Sequence, residues 1–330
     1  RRFVAGSRFH ISRRRSMTAV VLGGSGFLGS HLCDALLARG QDVIAVDDLS
    51  TGRLQNIEHL IGNKTFKFIQ ADISVGLPDL GTPELILNFA SPASPPAYLS
   101  MPIHTMRTGS LGTMHALELA SKTNARFVMA STSEIYGDPL EHPQTETYWG
   151  NVNPVGVRSC YDEAKRFAES LTFAYQRERG ANTGIVRIFN TYGPRLDPND
   201  GRVVSNFIMA AINDQPLNIY GDGSQTRSLC YVSDLVDGIL RMADSNNSGP
   251  INLGNPNELT ILQLAQRVID LTHSKSTINF QSALSDDPQQ RNPDIALAKT
   301  ALNWFPATDL DAGLQSTVHW MTTMEHKYDK

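Results

Sequence analysis

The sequence predicts an α/β protein, a doubly wound parallel sheet with a smaller α/β substrate domain at its C-terminal end. Three observations predict it. Thr18–Leu22 is a short apolar run, β-branched in part, and Gly23-Gly24-Ser25-Gly26-Phe27-Leu28-Gly29 follows at once. Residues 30–39 then repeat as a helix, with Leu32, Leu36 and Leu37 on one side and Gly40 as the stop. They lead into a strand, 42–46, that ends in Asp47-Asp48. Further strand-length runs recur at 66–70, 85–89, 126–130, 183–188 and 251–253 with helical stretches between most of them, the pattern of a parallel sheet. Strand, glycine turn, helix, strand and acid in this order read as a Rossmann-type dinucleotide-binding unit. Glycines let the backbone approach a pyrophosphate at a helix N-terminus, and the acid accepts hydrogen bonds from ribose hydroxyls. Asp47 favours NAD, because a carboxylate repels the 2′-phosphate of NADP. A tight structural turn is the alternative for the glycines taken alone.

Composition narrows the function. The chain has 330 residues, enough for one or two domains, with 41% hydrophobic and 19% charged residues, as in a soluble globular protein. A net charge of −4 argues against nucleic acid as a partner. Cys33, Cys160 and Cys230 lie far apart with no metal-binding spacing, which suits reduced thiols in the cytoplasm and no metal site. No apolar run approaches the ~20 residues of a membrane span. Residues 1–16 carry six arginines and no acid, so they read as a presequence or as a non-native, disordered leader ahead of Met17. Without those arginines the formal charge falls from −4 to −10.

Chemistry concentrates around Tyr161 and Lys165. Four residues apart on a helix, they share one face. An ammonium beside a phenol favours the phenolate, so the pair suits removing a proton from a hydroxyl while a hydride leaves the same carbon. An amphipathic helix with a chance tyrosine and lysine is the bland alternative. Ser131-Thr132-Ser133-Glu134 leaves the end of strand 126–130 one loop earlier, placed for an active-site role or a hydrogen-bonded turn. Residues 90–96 read as a proline-rich loop too rigid for helix, lining the pocket or merely connecting, and 102–124 as a helix weakened at Gly109 and Gly112. Asp72, at the end of strand 66–70, is placed to meet an adenine. Further on, 201–207 opens a helix whose N-terminus suits a phosphate or a uracil edge. Residues 220–227 form a glycine-rich turn ending in Arg227, a fork donor for a diphosphate or else a solvated surface group. The polar stretch 286–295 carries Arg291, either at the site or as a solvated charge in a linker. The organisation expected is residues 1–16 outside the fold, 17–190 for the dinucleotide and 191–330 for the substrate, interleaved with the first.

The motifs GGSGFLG, STSEIYGDP, HPQTETYWGNVNP, RSCYDEAK, RIFNTYGPR, DGRVVSNF, YGDGSQTRS and NLGNP occur in that order. In this the chain resembles the UDP-glucuronate decarboxylases, or UDP-xylose synthases, of the extended short-chain dehydrogenases/reductases, over nearly all of residues 17–326. The resemblance implies oxidation of UDP-glucuronate at C4, loss of CO₂ from the β-keto acid, and re-reduction on the same, recycled NAD. It implies Tyr161, Lys165, Thr132, Glu134 and Arg291 as catalytic residues, with Arg291 beside the sugar carboxylate. For NAD it implies Gly23, Gly26, Phe27, Leu28, Asp47, Asp48, Ser50, Thr51, Gly52, Asp72, Ile73, Phe89, Ser91, Thr108, Ala130, Tyr161, Lys165 and Thr191. For substrate it implies Tyr98, Ser133, Asn190, Arg202, Val204, Tyr220, Gln225, Arg227 and Arg291. A homodimer through helices near 102–124 and 161–179 is implied as well.

Ser133 stands where glucose-type 4,6-dehydratases carry an aspartic acid that protonates a leaving hydroxyl, and a serine is too weak an acid for that. Together with Arg291 this favours decarboxylation over dehydration or 4-epimerisation. A non-catalytic NAD-binding regulator is the reading from another class, and the intact Tyr/Lys pair disfavours it. Four positions depart from the family pattern. Asn88 replaces a frequent histidine, Ala164 a glycine and Asn292 a basic residue. Gly109 follows Thr108 where an asparagine helps order the active-site helix, which predicts a looser cofactor site or lower activity.

Overall fold

The computed structural model describes residues 17–282 and 290–328. The arginine-rich start and 286–289 of the polar stretch lie outside the described residues. The elements in order are β1 (Thr18–Leu22), α1 (Phe27–Ala38), β2 (Asp42–Asp47), β3 (Phe66–Gln70), β4 (Leu85–Asn88), α2 (Pro95–Ser100), α3 (Pro102–Arg107), α4 (Thr113–Thr123), β5 (Arg126–Thr132), α5 (Ser159–Arg179), β6 (Thr183–Ile188), α6 (Val203–Ile212), α7 (Val232–Asp244), β7 (Ile251–Leu253), α8 (Ile261–Thr272), α9 (Ala296–Leu302) and α10 (Leu310–Tyr328). Strands β1 to β7 form one parallel sheet in the order 7-6-5-4-1-2-3. The order reverses at β1, and ligands in such sheets sit beyond the strand ends at that point.

Period-two alternation distributes β1 between two cores. Ala19 and Val21 join Leu32 and Leu36 of α1, Leu235 and Ile239 of α7, and Trp304. Val20 and Leu22 join Leu117 of α4, Ala168 of α5 and Ile185 of β6. Every residue of β5 is buried, as expected for a strand covered on both faces. A third core, around Phe207, Ile208, Leu264, Val268 and Leu314, ties α6, α8 and α10 to the two-stranded pair Leu217–Tyr220 and Ile278–Gln281. The chain leaves the main sheet at Thr191 and returns to it for β7, so the two parts interleave.

Three local expectations are corrected. Helix α1 starts at Phe27, three residues before the apolar repeat, because the glycine turn itself supplies its N-terminus at Gly26. The proline-rich loop ends at Ser94, and α2 begins on Pro95 and Pro96. Prolines suit the first helical positions, where a missing N–H costs nothing and φ is already set. The single helix over 102–124 is divided by a wide π turn, Thr108–Gly112, that contains both glycines.

One buried polar tie joins three of these elements. On α5, Glu169 accepts from Ser131 Oγ of β5 at 2.5 Å and from Arg187 of β6 at 3.0 and 2.8 Å. Arg187 also donates to Tyr136 Oη at 3.0 Å and to the Glu146 carbonyl at 2.9 Å. Removing one member of such a pair strands a buried charge, at about 3–5 kcal/mol. Arg187→Met is therefore expected to lower the unfolding free energy by that amount, read in urea as a lower midpoint with an unchanged m-value. Adding Glu169→Leu should recover most of the loss, and equal midpoints for the single and double variants would count against the tie.

Candidate active site

The glycine turn and the ends of β2, β3 and β4 enclose a cleft. Gly23 has φ +79°, and a Cβ there would lie 2.7 Å from the Phe89 carbonyl. A Cβ on Gly29 would lie 1.9 Å from the Gly23 oxygen, so α1 and the turn meet backbone to backbone. The N-terminus of α1 has no side-chain cap, which leaves first-turn N–H groups and the helix dipole to a phosphate. Asp47, buried at the end of β2, accepts from Ser25 N at 3.0 Å and Leu49 N at 2.9 Å. Burial pushes its carboxyl up, and those two N–H groups oppose the shift.

The cleft is lined by Gly23, Gly26, Asp47, Asp48, Ser50, Thr51, Asp72, Ile73, Phe89, Ser91 and Thr108, all named from sequence. The hydroxyl of Thr108 is buried without a hydrogen-bond partner. Uncapped N–H groups, a carboxylate at the end of β2 and an unpartnered hydroxyl fit a dinucleotide. Val46, Ala71, Ala90, Pro92 and His104 line the cleft too. His104 is the informative omission: its Nε2 lies 3.0 Å from Asp48 Oδ2 and its Nδ1 3.9 Å from Asp72 Oδ2. Nothing local in 102–107 signals this, because the three meet only through sheet topology.

Seven other residues expected at the cofactor stand outside this lining, Tyr161 and Lys165 of α5 among them. Phe27 and Leu28 lie in the first turn of α1. Gly52 passes so close over Asp47 that a Cβ would meet its carboxylate at 2.6 Å. The Ala130 carbonyl accepts from Lys165, and Thr191 Oγ1 donates to the Phe189 carbonyl at 2.8 Å.

The first turns of α5 bury Tyr161 and Lys165. Tyr161 is hydrogen-bonded to the Thr132 side chain. The Tyr98 ring stacks on it, with centroids 5.1 Å apart and planes 9° apart. Burial pushes the Tyr161 phenol up to about 12, against the Thr132 bond. This corrects the expectation that Lys165 acidifies Tyr161. The long lysine stem carries Nζ past the ring to the Ala130 carbonyl of β5, 2.9 Å away, leaving it 5.8 Å from the ring centroid. Burial pulls that ammonium down to about 8.

Thr132 Oγ1 accepts from Glu134 N at 3.2 Å, which starts the tight turn after β5, and Ser133 is buried in that turn. Glu134 accepts from Arg291 and from Arg158, the latter at 2.5 Å. Burial opposes its charge, yet the guanidiniums of Arg291 and Arg158 hold the carboxyl below the ordinary glutamate range. Glu134 therefore stands ionised, as an orienting group and not as an acid at neutral pH. Arg291 is 5% exposed, donates to the Gly137 carbonyl at 3.0 Å, and keeps an unpartnered Nε. Arg158 was not singled out from sequence, although it lies inside the RSCYDEAK motif, one turn before Tyr161.

Of the expected substrate residues, Arg202 donates to the Ala93 carbonyl at 2.9 Å and thereby ties the start of α6 to the cleft loop. Its charge also acts on Tyr161. Val204 is buried in the first turn of α6, and the Asn190 carbonyl accepts from Cys230 N at 2.9 Å. Tyr220, Gln225 and Arg227 form a separate group. Gln225 donates to the Tyr220 carbonyl at 2.6 Å, and Arg227 sits on a short strand paired with Glu258–Thr260. The two departures nearest the cleft meet each other: Gly109 is buried, and a Cβ on it would lie 2.8 Å from the Ala164 methyl.

A family model described as the NAD dependent epimerase/dehydratase family matches residues 19–254. Among curated proteins, the chain is 47% identical over 318 residues to UDP-glucuronic acid decarboxylase 1 of Xenopus tropicalis, covering 96% of this chain and 75% of that one. It is 50% identical over 305 residues to UDP-glucuronic acid decarboxylase 1 of Arabidopsis thaliana, covering 92% and 70%. Among solved structures, UDP-glucose 4-epimerase from Thermotoga maritima superposes with a TM-score of 0.85 at 28% identity, covering 94% of this chain and all of that one. UDP-glucuronic acid 4-epimerase from Bacillus cereus, in complex with UDP-glucuronic acid and NAD, does so at 0.84 and 27%, covering 93% and 100%. The resemblance drawn from the motifs is borne out.

The contact between residues 109 and 164 is testable as a cycle. Gly109→Ala alone is expected to cost about 1–3 kcal/mol by overpacking. In the Ala164→Gly background the same change should cost less, giving a coupling of at least about 0.5 kcal/mol in urea denaturation. Strict additivity would count against the contact.

Proposed function

Because this chain belongs to the NAD dependent epimerase/dehydratase family, we propose that it is an NAD-dependent UDP-glucuronate decarboxylase yielding UDP-xylose and CO₂. The observation that carries this reading is the buried Arg291 guanidinium, held by Glu134 in the turn that follows Thr132. A carboxylated sugar needs a fixed cation there, and a neutral sugar does not. The names of the curated relatives support the same assignment.

Gly23, Gly26, Asp47 and Thr108 would hold the cofactor. When bound, NAD supplies the acceptor for the C4 hydride and returns that hydride at the end. Tyr161 acts as base in the minor fraction present as phenolate, the form that the charge of Arg202 favours, and its Oη then takes the C4 hydroxyl proton. With C4 a carbonyl, the sugar is a β-keto acid. As CO₂ leaves C5, the bonding electrons flow to O4, and a proton added at C5 then gives the 4-keto pentose that the returned hydride reduces. Hydrogen bonds from Tyr161 and Thr132 stabilise that oxyanion, and a phenol with a raised pKa stays a donor there. Arg291 holds the carboxylate, Glu134 holds Arg291, and Lys165 secures α5 to β5 one turn behind. Ser133 offers no acid for dehydration.

The closer rival is 4-epimerisation, because the Bacillus cereus neighbour named as a UDP-glucuronic acid 4-epimerase was crystallised with a carboxylated nucleotide sugar. We further propose a homodimer. Ile103, Met106, Leu111 and Phe167 expose apolar surface along α3, the π turn and α5, the helices implicated from sequence, and Leu99 of α2, outside that expectation, does so as well. Three buried free cysteines suit a reducing cytoplasm, and no helix of the described residues is long and apolar enough to cross a membrane.

An NMR time course with UDP-glucuronate and catalytic NAD⁺ tests the assignment. UDP-xylose and CO₂ should accumulate, and Tyr161→Phe should lower kcat about 10²- to 10⁴-fold. A C4-epimeric uronate formed without CO₂ would replace the assignment with epimerisation. For the dimer, Ile103→Glu with Phe167→Glu should halve the sedimenting mass, and an unchanged mass would refute that interface.

A further inference from the structure

The mechanism leaves Asp162 unused. It follows Tyr161 on α5, is 6% exposed, and has an Oδ1 without a hydrogen-bond partner. Its backbone N–H donates to the Arg158 carbonyl at 3.2 Å, which sets it one turn from the guanidinium bonded to Glu134. The charged groups acting on it are Glu134, Arg158, Arg291 and, on its own helix, Glu163. Its remaining titratable neighbours are Tyr98, Cys160 and Tyr161. Glu163 is partly solvated and lies 3.6 Å from Arg166, so its charge is screened and shared. Two guanidiniums against Glu134 leave one uncompensated positive charge when Asp162 is neutral, and none when it is ionised.

We propose that Asp162 is a specificity-determining residue: as a neutral carboxylic acid it leaves the Arg158–Glu134–Arg291 cluster one positive charge in excess, which selects a nucleotide sugar bearing a carboxylate over one with an uncharged C6. This deepens the decarboxylase reading and rests on it. Arg291 keeps a buried Nε with no hydrogen-bond partner, so the cluster retains donor capacity beyond its bonds to Glu134 and Gly137. Burial, and next the charge of Glu134, push the Asp162 carboxyl up to about 7. Below that pH Asp162 is neutral and the cluster favours an anion. Above it Asp162 ionises, the excess vanishes, and the preference for the anionic sugar falls. Linkage is reciprocal. A carboxylate bound from above that pH raises the protonated fraction of Asp162, so a fraction of a proton passes from solvent to an Asp162 oxygen on binding, about 0.2 at pH 8.5 for one unit of coupling.

Calorimetry on the NAD-loaded Tyr161→Phe protein, in which turnover is suppressed, tests this with UDP-glucuronate and UDP-glucose as probes. Measurements at about pH 6 and about pH 8.5, in two buffers of different ionisation enthalpy, give affinities and proton counts. The affinity ratio favouring UDP-glucuronate should be about tenfold greater at the lower pH, the equivalent of one pKa unit of coupling. Proton uptake at the higher pH should accompany UDP-glucuronate and not UDP-glucose. Adding Asp162→Asn should make the ratio independent of pH and abolish the uptake. The same pH dependence in the Asn variant would overturn the proposal. Should that variant fail to fold, equal proton counts for the two sugars in the parent would overturn it alone. Release of CO₂ from UDP-glucuronate by the native enzyme, with pH-independent discrimination, removes only the role of Asp162. Absence of both binding and CO₂ release removes the decarboxylase reading itself.

Discussion

The site depends on how α5 is held against the sheet, and a buried carboxylate does the holding. Glu169 reaches β5 through Ser131 and β6 through Arg187, so the helix cannot slide or turn without breaking charge-assisted bonds in a dry interior. Apolar packing alone tolerates small sliding of a helix over a sheet, whereas a two-pronged guanidinium–carboxylate pair fixes both position and angle. Lys165 adds a second tie, one turn from Glu169, to the Ala130 carbonyl of the same strand. Tyr161 is then one turn further along a helix fixed twice to β5, and its hydroxyl meets Thr132 at the end of that strand.

The same network reaches the distant chain that brings Arg291. Arg187 donates to Tyr136 Oη, and Tyr136 donates to Asn252 of β7 at 2.8 Å. Asn252 in turn donates to the carbonyls of Gln144 and Asp294, and Gln144 exchanges backbone hydrogen bonds with Asn292 and Asp294. Arg291 is thus delivered by a short bridge strapped to the sheet edge, not by a free linker. Charges of opposite sign gather in two places. Asp47, Asp48 and Asp72 gather at the cofactor end, and Arg158, Arg291 and Arg202 gather beside Tyr161.

Much of this arrangement was legible in the sequence because it is local. The glycine turn, the acid after β2 and the i,i+4 spacing of Tyr161 and Lys165 are each read within about twenty residues, and the resemblance extended the list along the chain. What escaped reading came from topology or reach. His104 meets Asp48 and Asp72 only once α3 is laid over the ends of β2 and β3. Arg158 gains its meaning only when Glu134 folds back from β5 to meet it. The Lys165 stem is long enough to choose a strand carbonyl over the neighbouring phenol, and helical spacing cannot show that.

The departure at Gly109 shows why a single position misleads. Read alone, a glycine in a helix removes a side chain and adds backbone freedom, which argues for a looser cofactor site. In the fold, Gly109 is buried in the π turn against α5, and Ala164 points its methyl into the space that a side chain at 109 would need. A methyl on the catalytic helix fills the contact from the other side, so the bulk missing on one helix is present on its partner. Interiors packed to crystal density register the summed volume at a contact, not which chain segment supplies it. Alanine is also a stronger helix former than glycine, so the added methyl stiffens α5 between Tyr161 and Lys165. Gly109 lies in a turn that α5 already covers, and Tyr161 and Lys165 stand on the helix that carries the added methyl.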